Sequence, residues 1–159
     1  MSQTNQNTTT KMLNQPAAKS ALIGQKSKSM TPLFLLTFEV FNNKFHNCLV
    51  YYGASTNVMP YIICQKLNAQ PQKCTTQIVQ LDKSTVKVMG ELKDVLIILA
   101  SDPSIHQVID IYVVGIPECY NMILSRDWST QLGGYFSTDW SHMLVPKRGQ
   151  NNYQDINRE

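Results

Sequence analysis

The residues of this 159-residue chain that could do chemistry are spread thinly along it. The acids include Asp82, Asp94, Asp102, Asp110, Asp127, Asp139 and Asp155, and the other candidates are His46, His106, His142, Cys48, Cys64, Cys74 and Cys119. The histidines form no His-Glu-x-x-His pattern, and the cysteines are separated by 16, 10 and 45 positions with no Cys-x-x-Cys. No metal site is therefore expected, no cofactor is implied, and reduced, mostly buried thiols are the favoured state. Gly-x-Ser-x-Gly, a phosphate-cradling loop and a dinucleotide fingerprint are all lacking. One stretch stands apart. In Cys48-Leu49-Val50-Tyr51-Tyr52-Gly53-Ala54-Ser55-Thr56, apolar residues run into a Gly corner and then into small hydroxylated residues. A strand-to-loop corner of this kind can hold a side chain at the floor of a cleft, and Gly lets a second backbone approach it.

At Leu49, Val50, Gly53, Ala54 and Ser55 the chain resembles the retropepsin-like aspartic proteases, above all those of plant gypsy-type retrotransposon Gag-Pol polyproteins. That family reads apolar-apolar-Asp-Ser/Thr-Gly-Ala-Ser/Thr. Tyr51 stands at the position of the family's catalytic Asp, and Tyr52 at that of its Ser or Thr. A second match is Met122-Ile123-Leu124-Ser125-Arg126-Asp127-Trp128 against apolar-apolar-Gly-Arg-Asp-Trp, with Ser125 in place of Gly. The resemblance covers residues 33 to 147. It implies a mostly β acid-protease barrel with a flap hairpin and one or two short helices. It also implies a catalytic loop at Tyr51, Tyr52 and Gly53, supported by Ala54, Ser55, Ser125, Arg126 and Asp127. Asp82, Lys83 and Ser84 would form the flap tip, and Asp127 a structural ion pair or helix cap. The family's substrates are extended peptide or polyprotein segments, and its active form is a symmetric homodimer.

Aspartic proteolysis needs two carboxyls sharing one proton, split in pKa because like charges about 3 Å apart cannot both ionise. A phenol has a pKa of about 10, so at pH 6 only about one in ten thousand is ionised. Tyr51 therefore cannot serve as the acid, and none of the seven aspartates is followed by Ser/Thr-Gly. The expectation is an aspartic endopeptidase-like domain that does not cleave. The competing reading is a non-catalytic module that holds an extended peptide, or that pairs with an intact relative and poisons it. Two tyrosines at the dimer axis would also weaken self-association.

The elements that must position these residues follow from periodicity. Leu33 to Phe41 and Phe45 to Val50 predict a hairpin turning at Asn42-Asn43. Ser55 or Thr56 is expected to cap a helix with Pro60 in its first turn and Met59, Ile62, Ile63 and Leu67 on its apolar face. Thr75 to Leu81 and Thr85 to Met89 alternate about a turn at residues 82 to 84. Gly90 breaks that pattern before an apolar strand from Leu92 to Leu99. Strands are also expected over Ile105 to Val114, Tyr120 to Leu124 and His142 to Val145. Trp128 to Leu132 reads as a brief helix ended by Gly133-Gly134. Short, regularly spaced strands of this kind make a barrel-like fold.

Composition bounds the rest. A hydrophobic fraction of 43% supports a real core, and a net charge of +3 does not by itself argue for nucleic acid. No apolar run reaches membrane-spanning length. The polar N-terminus has no apolar core of a secretory signal, so a cytoplasmic protein is expected. Residues 1–31 read as a disordered polar leader, 32–147 as the protease-like domain and 148–159 as a polar tail that frays.

Overall fold

The computed structural model describes residues 10–12, 33–147 and 149–159. Twelve strands and two helices appear among them: β1 (Thr10–Met12), β2 (Leu35–Val40), β3 (Asn43–Val50), β4 (Val58–Pro60), α1 (Tyr61–Lys66), β5 (Gln77–Val79), β6 (Thr85–Val86), β7 (Val88–Leu99), β8 (His106–Val114), β9 (Met122–Leu124), α2 (Arg126–Gln131), β10 (Tyr135–Phe136), β11 (His142–Pro146) and β12 (Tyr153–Asn157). Six strands close into a barrel in the order β2-β3-β9-β4-β8-β7, sealed where Phe38 of β2 pairs with Leu99 of β7. Closure leaves no open edge in this sheet. No helix among the described residues is long and apolar enough to cross a membrane.

The core follows the alternation of the strands. Leu36, Phe38 and Val40 of β2 point inward with Val95, Ile97 and Leu99 of β7 and Ile109, Ile111 and Val113 of β8. Trp128 of α2 plugs this core, edge-on to Phe38 at a centroid distance of 5.5 Å. Cys48 and Cys64 are buried free thiols, and Cys74 and Cys119 are half-buried ones. Burial pushes the thiols of Cys48 and Cys64 up.

Several sequence expectations shift. The β2–β3 turn lies at Phe41-Asn42, both left-handed (φ 51° and 62°), because a two-residue hairpin turn of this twist needs positive φ at both positions. The Asn43 amide donates to the Phe41 carbonyl at 2.9 Å and steadies that turn. Ser55 and Thr56 do not cap a helix. Residues 58–60 form β4, parallel to β8 and antiparallel to β9, and α1 begins only at Tyr61 with Pro60 as its uncapped N-terminal residue. Wholly buried Val58 and Met59 gain more from filling the barrel than from a helical turn, and Ile62 is left exposed.

Gly90 does not end a strand. β7 runs through it with a shift of register between Val88 and Gly90, and the backbone of Gln72 comes so close that a Cβ there would lie 2.7 Å from the Gln72 carbonyl, a position only Gly fits. Gln72 and Glu91 exchange two 2.8 Å backbone hydrogen bonds at this contact. The tail does not fray. β12 pairs with β11, Ile156 is buried against the core, and the Glu159 N–H donates to the Leu35 carbonyl at 2.8 Å. The leader lies outside the described residues except for Thr10–Met12, which form β1 beside β5.

Candidate active site

The corner is built by two strands that run side by side in the same direction. β3 pairs parallel with β9, Leu49 opposite Ile123 and Val50 opposite Leu124, so the loops leaving them emerge together. Backbone bonds then fasten one loop to the other. The Tyr51 N–H donates to the Leu124 carbonyl at 2.9 Å, and the Arg126 N–H to the Ala54 carbonyl at 3.2 Å. The Ala54 N–H returns to the Tyr51 carbonyl at 3.1 Å and closes the turn through Gly53. Arg126 adds its guanidinium, with Nη1 3.4 Å from both the Tyr52 and Ala54 carbonyls. Ala54 itself is fully buried.

Ser125, expected as a substitute for Gly, is the N-cap of α2. It is buried, and its Oγ accepts from the Asp127 N–H at 3.2 Å. The cap is thus Ser125 and not Asp127, whose exposed carboxylate lies in the first helical turn and forms no salt bridge among the described residues. Asn57 was not singled out from the sequence. Its Oδ1 accepts the Ser125 N–H at 2.8 Å, its Nδ2 donates to the Asp110 carbonyl at 3.0 Å, and its own carbonyl accepts from Tyr112 at 2.9 Å. One amide side chain therefore joins the loop after Gly53, β8 and the start of α2. An Asn two residues beyond a Ser carried no pattern that could have announced this.

The two tyrosines part company at the corner. The ring of Tyr51 doubles back over the turn: a methyl built on Gly53 would lie 2.8 Å from Cζ and 2.9 Å from the hydroxyl. The ring thus fills the space that a side chain at position 53 would take, and would have to swing aside for one. Tyr51 packs beside a buried cluster that includes Leu49, Ala54, Ile78 and Val86, and burial pushes its phenol up. Tyr52 points the other way and is exposed. Its ring meets Phe136 edge-on at 5.9 Å, and Phe136 in turn stacks on Trp140 at 4.6 Å.

Ile78 and Val86 belong to the hairpin of β5 and β6, which closes over this corner. At its tip Asp82 accepts from the Ser84 N–H at 2.9 Å and from the Ser84 hydroxyl, Lys83 is left-handed (φ 71°), and Leu81 is 63% exposed. The remaining carboxylates lie elsewhere. Asp94, Asp110 and Asp127 line a polar cleft of about 300 Å³ with Ser55 and Asn57, and neither Tyr51 nor Tyr52 faces it.

No family model matches the chain, and no curated protein does. Among solved structures it is similar to the crystal structure of the retroviral protease-like domain of Ddi1 from Leishmania major. The TM-score is 0.53 at 10% identity, over 79% of this chain and 95% of that one. The closed barrel, the hairpin over the corner and this likeness together give the chain a retropepsin-like, mostly β fold.

Two outcomes follow from the corner's bonds. Asn57→Ala orphans the Ser125 N–H and is expected to cost about 1–3 kcal/mol in urea unfolding. Asn57→Asp, which keeps the acceptor, is expected to cost less. Burial also raises the phenols of Tyr51, Tyr112 and Tyr120. Their stabilising effect is complete below the unfolded pKa of about 10 and is lost as pH rises through the higher folded values. Ultraviolet titration of the native chain should show late-ionising phenols, and Tyr51→Phe should remove one of them.

Proposed function

We propose that this chain is the protease domain of a gypsy-type retrotransposon Gag-Pol polyprotein that keeps the acid-protease architecture and has lost hydrolysis. The likeness to a retroviral protease-like domain supports the aspartic-protease part of this reading. The observation that carries the loss is the state of Tyr51. Its ring lies folded on Gly53, and burial holds the phenol proton. A protonated phenol neither takes a proton from water nor shares one with a second acid. The chain acts in the cytoplasm, as a homodimer or paired with an intact relative. Each chain brings one such corner, so two would have to meet for any peptide to be cut.

A second reading is favoured by the closed hairpin, whose tip presents exposed Leu81. In that reading the domain holds an extended peptide without cutting it, or dilutes an active partner. Changing Tyr51→Asp and Tyr52→Ser together is expected to raise cleavage of a mixture of polyprotein-junction peptides at least tenfold over the unaltered chain between pH 4 and 7. A double variant that dimerises in sedimentation yet stays silent places the lesion elsewhere, with Ser125 the next position to change. Mixing the unaltered chain with an active relative should lower turnover in proportion to the amount added. Unchanged turnover excludes the poisoning form.

A further inference from the structure

One residue breaks the apolar row on the inner face of β8. Ile105, Ile109 and Ile111 are buried in the core, and Gln107 stands between the first two, paired with fully buried Ile97 of β7. Its Oε1 is shut off from solvent and has no hydrogen-bond partner among the described residues. A buried amide oxygen in that state costs stability, where an apolar side chain would cost none.

Gln107 also lines a cavity of about 960 Å³, bounded by the β7–β8 turn, the end of α2 away from the corner, and strands β11 and β12. No residue of the corner lines it. Asp102 and Asp155 do, and neither forms a salt bridge among the described residues. The Ser104 N–H and hydroxyl both bond Oδ1 of Asp102, which leaves Oδ2 for another donor. Tyr153 adds a half-exposed ring, met edge-on by Tyr135 at 5.6 Å. The cations on the wall, Lys147 and His106, pair with neither carboxylate.

We propose that this cavity binds a guanidinium group, carried by a free small molecule or by an arginine side chain of a peptide. The site goes beyond the loss of the acid and holds whichever residue stands at position 51. Its offer is one of acceptors beside an aromatic face: two carboxylates, an amide oxygen and the Tyr153 ring. A guanidinium is a planar fork of donors that matches carboxylates in pairs and stacks on a ring, whereas an ammonium is a compact, strongly hydrated point charge. Gln107 Oε1 has no bond to lose, so turning the amide toward a donor in the cavity sacrifices nothing. The volume lies near the upper end of the range for ligand clefts, about 300–1,000 Å³, which leaves room for residues flanking an arginine.

Calorimetric titration of the full chain tests the proposal. The probes are N-acetyl-arginine amide and acetyl-Ala-Arg-Ala-amide, each beside its citrulline counterpart, which keeps the shape without the charge. Both arginine probes should bind at millimolar concentration or below, and the citrulline probes at least tenfold more weakly. A tripeptide that binds more tightly than the single amide identifies a peptide as the source, and equal affinities identify a small guanidine. Gln107→Leu should melt at a higher temperature than the unaltered chain and bind at least fivefold more weakly. Asp155→Asn, at an exposed position, should weaken binding at least fivefold with the melting temperature unchanged. Absence of binding by both arginine probes overturns the proposal. So does equal affinity for citrulline, or unchanged affinity in Gln107→Leu.

Discussion

The parallel pairing of β3 with β9 is the constraint on which the rest of the structure depends. It brings the ends of two strands from distant parts of the sequence to one place, and backbone groups then bind the loops that leave them. The bonds from Tyr51 to Leu124 and from Arg126 to Ala54 involve no side chain at position 51 or 52. Main-chain hydrogen bonds of this kind survive substitution as long as the new side chain finds room. That is why a chain with two tyrosines at its corner can still make the turn. Room is found in opposite directions, for Tyr51 over Gly53 and for Tyr52 against Phe136.

Architecture and chemistry are therefore separable here. The barrel rests on alternating apolar residues and on closure, and neither consults the identity of the corner side chain. In the proposed reading proteolysis is lost because it depends on a carboxyl whose pKa a like charge can split, whereas a phenol, with an ordinary pKa of about 10 that burial pushes further up, stays neutral. Several of the remaining acids serve structure. Asp82 and Asp102 accept hydrogen bonds within their own turns, and Asp110 accepts the Asp94 N–H at the bulge of β7.

Much of the fold was legible because its signals were local. Apolar runs marked β7 and β8, the Gly133-Gly134 pair marked the end of α2, and Asp82-Lys83-Ser84 marked the hairpin turn. What stayed hidden was set by distant partners. β4 reads as the start of a helix until β8 and β9 flank it. β12 reads as a polar tail until Ile156 meets the core. At the site, the corner and the Ser125–Asp127 segment were readable as motifs. Asn57 was not, since its importance lies in three bonds to residues 53 to 68 positions away. The cover of Gly53 by the Tyr51 ring was equally invisible, because a ring's direction is decided by what packs around it.

The central claim, that the corner persists while hydrolysis is gone, meets its most direct test in mass spectrometry of peptides incubated with the purified, unaltered chain across pH 4 to 7. The account predicts an intact peptide pool after prolonged incubation, identical to that left by Tyr51→Phe. New termini that appear with the unaltered chain and vanish with Tyr51→Phe would contradict it.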